Sequence, residues 1–120
     1  MTTAEIERLV EYHFKIWNQR DPIQRSAWMQ EVYATDMELV EPHNIAIGHA
    51  RINEFVQNLQ QKNPGFQFSD ISSIDTHHNI ARLYWHFGPE EKPDAKSGMD
   101  LFVMEDGKVQ KLYVFVDDSK

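Results

Sequence analysis

Three side chains in this sequence are of a type and setting to move protons: Glu41, Asp100 and His13. Glu41 closes the stretch YATDMELVEP, residues 33–42. That stretch starts as the tail of a helix, turns at Thr35-Asp36 and becomes a short strand. Pro42 then removes a ladder donor and stops regular pairing. Beside Tyr33, Leu39 and Val40, the Glu41 carboxylate is placed to look into whatever the flanking helices enclose. Asp100 sits among apolar residues late in the chain, and His13 falls inside the apolar stripe of the first helix. A carboxyl group stripped of water favours its neutral form and can donate to a developing oxyanion; ionised, it can act as a general base. Each residue also has a plainer reading. A strand-end glutamate is commonly solvated, a histidine in an apolar stripe is commonly core, and Asp100 could stand at a wet sheet edge.

The elements that must position these groups follow from pattern. Thr2 with Glu5 is a capping box, and Ile6, Leu9, Val10, His13, Phe14 and Trp17 recur at helical spacing, which predicts a helix over residues 2–18. Asp21-Pro22 is an N-cap followed by proline, opening a second helix over 22–32 that buries Ile23, Ala27, Trp28 and Val32. Two short strands surround the turn at His43, and Gly48 ends the second of them. A third helix over 49–62 stops at Asn63-Pro64-Gly65. Beyond it the sequence predicts four strands in a meander, the first over 66–75 with a bulge near Asp70. Helices followed by antiparallel strands give an α+β layer, a curved sheet with the helices on one face. The late strands are apolar in both phases, so something covers the second face, and a second copy of the chain is the expected partner.

The Asp106-Gly107 turn predicts a register. With those two residues as the whole loop, Asp100 pairs with Tyr113, and Asp100, Phe102, Met104, Tyr113 and Phe115 share one face. In the preceding strand Leu83, Trp85 and Phe87 are expected toward the interior, with Arg82, Tyr84 and His86 outward. Trp17, Tyr33, Trp85, Phe102, Tyr113 and Phe115 are then the expected walls of a cavity, and His43 lies at its mouth. Trp28 is expected in ordinary helix-packing core. Replacing Asp100 with Asn is expected to leave stability unchanged or raise it.

Composition narrows the classes. The 120 residues make one domain, 41% hydrophobic and 26% charged, too apolar for disorder. A net charge of −7 makes nucleic acid and anionic membranes poor partners, and the absence of cysteine removes thiolate chemistry. The first ten residues are charged and carry no apolar signal core, so a cytoplasmic protein is expected. His77, His78 and His86 lack a cluster of acids around them, and neither a metal nor an organic cofactor is expected.

Several pieces, in this order and spacing, resemble the nuclear transport factor 2-like superfamily and its SnoaL-like proteins: IWNQRD, YATDMELVEP, GHARINEFV, NPGFQF, HHNIARLYWHFG, SGMD and EDGKVQKLYVFVD. Together they span nearly the whole chain. The resemblance implies a cone, a curved mixed sheet around helices that enclose an apolar cavity, commonly dimerised through the sheet. Ketosteroid isomerase, which uses a neutral aspartic acid as a hydrogen-bond donor, is a catalytic member of that superfamily. By that likeness its base corresponds to Glu41, its protonated aspartic acid to Asp100, and its oxyanion-hole tyrosine to His13. Glu for Asp and His for Tyr are departures from its pattern. Polyketide cyclases of the SnoaL type are similar in placing an acid/base aspartate on the strand of Asp100. The expected function is cofactor-free acid/base isomerisation, cyclisation or dehydration of a small apolar carbonyl compound. A non-catalytic binder of a hydrophobic ligand and a dimeric interaction module are the alternatives.

Overall fold

The computed structural model describes residues 1–69 and 71–117. Three helices, α1 (Thr3–Asn18), α2 (Pro22–Val32) and α3 (His49–Lys62), pack on one face of a curved, unclosed mixed sheet. Its strands are β1 (Tyr33–Glu41), β2 (Asn44–Ile47), β3 (Gln67–Ser69), β4 (Asp75–His77), β5 (Ile80–Gly88), β6 (Lys96–Glu105) and β7 (Lys108–Val116). They lie in the order β2-β1-β7-β6-β5-β3, with β4 also paired to β5. The pairing of β1 with β7 is parallel and the rest are antiparallel. The first strand therefore sits beside the last, which brings residues 33–41 next to the hairpin that carries Asp100.

Local chemistry sets the helix starts. Thr2 Oγ1 accepts from the Glu5 N–H and Glu5 Oε1 accepts from the Thr2 N–H, closing the capping box. Asp21 Oδ1 accepts from the Ile23 N–H, with Pro22 in the first turn. The face that α2 buries differs from the one the apolar residues predict. Arg25, Met29 and Val32 point inward, Ile23 is 81% exposed, Ala27 is exposed and Trp28 is half-buried at the rim against Tyr12. The cause is Arg25, fully buried, whose guanidinium reaches carbonyls after α1 and amide side chains on α3.

The loop between β6 and β7 is the two-residue turn expected, with Asp106 and Gly107 both at positive φ (53° and 77°). The register then shifts by one residue: Met104 pairs with Val109, but Val103 pairs with Lys111. The extra residue is a bulge at Gln110, and it lets Val109 and Leu112, three apart, both enter the core. Asp100 consequently pairs with Val114, Leu101 with Tyr113 and Met99 with Phe115. Tyr113 and Phe115 therefore belong to the outer face of the sheet, and Phe115 is 59% exposed. Their expected place in a cavity wall is corrected by that one bulge. Two further differences are smaller. β1 begins at Tyr33 directly after α2, and the expected strand over 66–75 is two short pieces, β3 and β4, each paired with β5. The bulge expected near Asp70 lies outside the described residues.

Phe102, Met104, Leu83, Trp85 and Phe87 face inward as the alternation predicts, while Arg82 and Tyr84 face out. The outer face carries an apolar band. One row crosses Ile45, Val40, Tyr113 and Leu101, and a neighbouring row crosses Phe115 and Met99 to Tyr84. Among the described residues no helix is long and apolar enough to cross a membrane.

Candidate functional site

The inward stripe of α1 delivers His13 and Trp17 to the sheet, the start of β1 delivers Tyr33, and the neighbouring strands β5 and β6 deliver Trp85 and Asp100. All five are buried, with Asp100 3% exposed and His13 1%. Their polar atoms form a chain. Trp17 Nε1–H donates to Tyr33 Oη over 2.9 Å, and Tyr33 Oη lies 2.5 Å from His13 Nδ1. His13 Nε2 lies 3.5 Å from Asp100 Oδ2, and Trp85 Nε1–H donates to Asp100 Oδ1 over 2.9 Å. Phe102 closes one side, its ring edge-on to the His13 imidazole at 5.0 Å between centroids. A further wall, not among the expected ones, is Phe68 on β3, whose ring contacts Phe14, Trp17, Trp85 and Phe87. Phe66 and Phe68, two apart in the sequence, share one phase of a strand, which is the signal that marks it.

A glycine makes the Trp85 contact possible. Trp85 and Gly98 are cross-strand partners, and a Cβ on Gly98 would lie 2.3 Å from Trp85 Cζ2 and 2.4 Å from the Phe115 carbonyl oxygen. The indole thus lies directly over a backbone without a side chain. Burial pushes the Tyr33 phenol well above its ordinary titration range; the Trp17 hydrogen bond opposes this, and the charge of Asp100 adds to it. Tyr33 is therefore a phenol, never a phenolate, at neutral pH. His49 serves the same strand: its Nε2–H is shared between the carbonyls of Tyr33 and Ala34, at 3.1 and 3.0 Å.

Glu41 stands apart from this chain. Its Oε1 accepts from the His43 N–H at 2.9 Å and from Asn44 Nδ2 at 2.8 Å, so the carboxylate staples the β1–β2 turn. Continuing the β1–β7 register by one residue sets Glu41 beside Val114, the partner of Asp100. The two acids thus occupy one row of the inner face with Val114 between them, their Cα atoms roughly 10 Å apart at ordinary strand spacing. They face the same side without meeting. His43 is exposed, and only its backbone bonds to Glu41. Of the residues expected at the site, the structure brings together His13, Trp17, Tyr33, Trp85, Asp100 and Phe102; it leaves Glu41 and His43 at a turn, and Tyr113 and Phe115 on the outer face.

The shared cavity expected between Glu41 and Asp100 is not where the larger depressions lie. One of about 600 Å³ is set between α1 and α2, lined by Leu9, Tyr12 and Trp28, one of about 410 Å³ lies at Phe14, Asn18 and Trp28, and one of about 390 Å³ lies between β2 and α3. None of them is lined by His13 or Asp100; the rings beside His13 are those of Phe14, Trp17, Tyr33 and Phe102. Among the described residues no three acidic or histidine side chains gather to hold a metal ion.

No family model matches the sequence, and no curated protein matches it. Solved structures do. A proposed isomerase of the SnoaL-like family from Agrobacterium tumefaciens superposes with a TM-score of 0.88 at 21% identity, covering 97% of this chain and 100% of that one. A de novo designed protein with a curved β-sheet gives 0.76 at 16% identity, over 98% and 88%. A proposed ketosteroid isomerase from Kribbella flavida gives 0.74 at 18% identity, over 98% and 82%. Proposed polyketide cyclases and other nuclear transport factor 2-like and cystatin-like proteins are similar as well. The chain has the nuclear transport factor 2-like, cystatin-like fold, an α+β cone. At these identities the likeness is one of fold, and the designed protein among them is a reminder that such a fold does not dictate a reaction.

Proposed function

We propose that the chain is a cofactor-free acid/base protein of the isomerase or cyclase type, acting in the cytoplasm on a small apolar carbonyl compound, with Asp100 and His13 as its reacting pair. The observation that carries this reading is the buried carboxylate–imidazole contact itself. Titratable groups in a core cost stability unless they are fully bonded, and such groups concentrate where chemistry is done. The aromatic surroundings suit an apolar substrate, and the solved structures described as isomerases and cyclases share the scaffold. Entry runs along the row from Asp100 past half-buried Val114 to half-buried Glu41. Glu41 keeps a role at that mouth and His43 beside it, whereas Tyr113 and Phe115 do not line the path.

The test is proton exchange at carbon in deuterated buffer, with a panel of apolar ketones from cyclohexanone to steroid size, followed by the protein's indole N–H resonances at Trp17 and Trp85. Catalysed loss of the α-protons, with both indole signals shifting, is the expected result. Indole shifts without exchange would make the protein a binder; neither shifts nor exchange across the panel would leave Asp100 and His13 as structural core and remove the proposal.

The outer band of Ile45, Val40, Tyr113, Leu101, Met99, Phe115 and Tyr84 is the proposed dimer surface, since large apolar patches on a free face are covered in stable proteins. Sedimentation at micromolar concentration is expected to show twice the chain mass, and Phe115→Glu to return the monomer. A monomeric wild type would leave that band without a partner.

A further inference from the structure

We infer that Tyr33 is a positioning residue that fixes the tautomer of His13, so that every proton in the buried chain is directed toward Asp100. The inference rests on the reading of Asp100 and His13 as the reacting pair, and it concerns a residue that touches neither the carboxylate nor the path of entry.

The argument is a count of donors. An indole N–H only donates, so Trp17 gives its proton to Tyr33 Oη across 2.9 Å. The phenol has one proton of its own. Tyr33 is 1% exposed, so water does not take that proton, and among the described residues the acceptor within reach is His13 Nδ1 at 2.5 Å. Tyr33 O–H therefore donates to Nδ1, which must be unprotonated. The proton of the neutral ring is then on Nε2, the nitrogen 3.5 Å from Asp100 Oδ2. At the other carboxylate oxygen Trp85 donates across 2.9 Å. The reverse arrangement, with a proton on Nδ1 donating to Tyr33, would set two donors against one hydroxyl and leave the phenol proton buried without an acceptor. The chain has one consistent direction: Trp17 to Tyr33 to His13 to Asp100, met by Trp85 from the other side.

This direction divides the labour of the site. Asp100 holds only acceptor positions, and His13 offers a donor. The Nε2–H contact at 3.5 Å is longer than an ordinary hydrogen bond of about 2.7–3.2 Å, which makes that N–H the least committed donor in the chain and the one free to turn to a substrate oxygen. Tyr33 supplies no group to the substrate. It keeps the imidazole from presenting a bare nitrogen there instead.

The experiment is a long-range proton–nitrogen correlation spectrum of the histidine side chains in the full-length, nitrogen-15-labelled protein at neutral pH. The expected wild-type pattern for His13 is a protonated Nε2 and an unprotonated Nδ1 whose resonance is shifted by an accepted hydrogen bond. In Tyr33→Phe that Nδ1 resonance is expected to move to the position of a free acceptor, or to split between two tautomers. In Trp17→Phe, which leaves the phenol in place, the wild-type pattern is expected to persist. A bonded proton on Nδ1 in the wild type overturns the assignment whether or not the variants fold, and an Nδ1 resonance unmoved by Tyr33→Phe overturns the role of Tyr33. A proton on Nδ1 together with catalysed α-proton exchange would remove this inference alone. The expected tautomer without exchange or ligand shifts would remove the acid/base reading alone.

Discussion

Arg25→Ala is expected to lower the stability of the protein by about 3–5 kcal/mol, since several buried acceptors lose their donor at about 1–3 kcal/mol for each one left unsatisfied. The guanidinium is fully buried, yet all its bonds go to neutral oxygens. Nε donates to the Gln19 carbonyl; Nη1 donates to the carbonyl and side chain of Asn53; Nη2 donates to Gln57, to Gln60 and, at 3.4 Å, to the Arg20 carbonyl. Two of those acceptors, Gln19 and Arg20, follow the C-terminus of α1, where the helix dipole presents partial negative charge. Burial lowers the Arg25 titration point, the direction desolvation gives a cation, but an arginine keeps its proton. Alanine would strand the acceptors and open a gap where α1, α2 and α3 meet. Gln60, which also donates to the Trp17 and Gln19 carbonyls, would be left holding that junction alone. Arg25→Lys keeps the charge and loses the planar fork, so it should fall between wild type and Arg25→Ala. Urea denaturation read by tryptophan fluorescence gives the comparison. A loss below about 1 kcal/mol, the scale of a surface substitution, would show that the network contributes little.

Arg25 also shows where the sequence stops being informative. The period of α1 is legible because its buried residues are apolar apart from His13 and its cap is a local pattern. In α2 the buried positions are Arg25, Met29 and Val32. An apolar count rejects the arginine and promotes Ile23 and Trp28, and the acceptors that make burial possible come from residues 28–35 positions away. The hairpin repeats the lesson at smaller scale. Asp106-Gly107 announces the turn from two residues, but the bulge at Gln110 has no local mark, since a glutamine in a strand looks like any solvated position. It exists because Val109 and Leu112 both find room inside, which is a property of the packed core. That single residue moved Tyr113 and Phe115 from the inner face to the outer.

The site divides in the same way. His13, Asp100, Trp17, Trp85 and Phe102 were legible because each lies on a face fixed by a period of helix or strand. Tyr33 was legible as a neighbour but not as the link between Trp17 and His13, because hydrogen bonds spanning 16 and 20 residues leave no trace in spacing. Glu41 looked free to face a cavity. Its capture by the His43 N–H and the Asn44 amide follows from the turn after Pro42, where a short carboxylate bond to backbone two residues on competes with any more distant partner.

Asp100→Asn is expected to lower stability by about 1–3 kcal/mol, the cost of one buried donor left unsatisfied, and, on the acid/base reading proposed above, to slow α-proton exchange by about 10²–10⁴-fold, the usual contribution of a positioned acid or base. The sequence alone suggests the opposite for stability, since asparagine keeps the shape of aspartate and removes a buried charge. The geometry reverses that expectation. Asp100 Oδ1 accepts from the Trp85 indole N–H, and Oδ2 lies 3.5 Å from His13 Nε2, which carries the ring proton in the tautomer inferred above. Asparagine has one carbonyl oxygen and one amino group. Whichever way it is turned, one of the two donors faces another donor, and neither water nor a spare acceptor is at hand at 3% exposure. Had Asp100 been a neutral acid donating to an unprotonated His13 Nε2, asparagine would reproduce that arrangement and stability would hold or rise. Chemical denaturation of Asp100→Asn at neutral pH thus reads which partner of the His13–Asp100 contact carries the proton, without any substrate. Unchanged or higher stability would mean that Asp100 carries a proton in the folded protein, and the part of base would then have to pass to another group, with Glu41, in the same row of the sheet, the next acid to test.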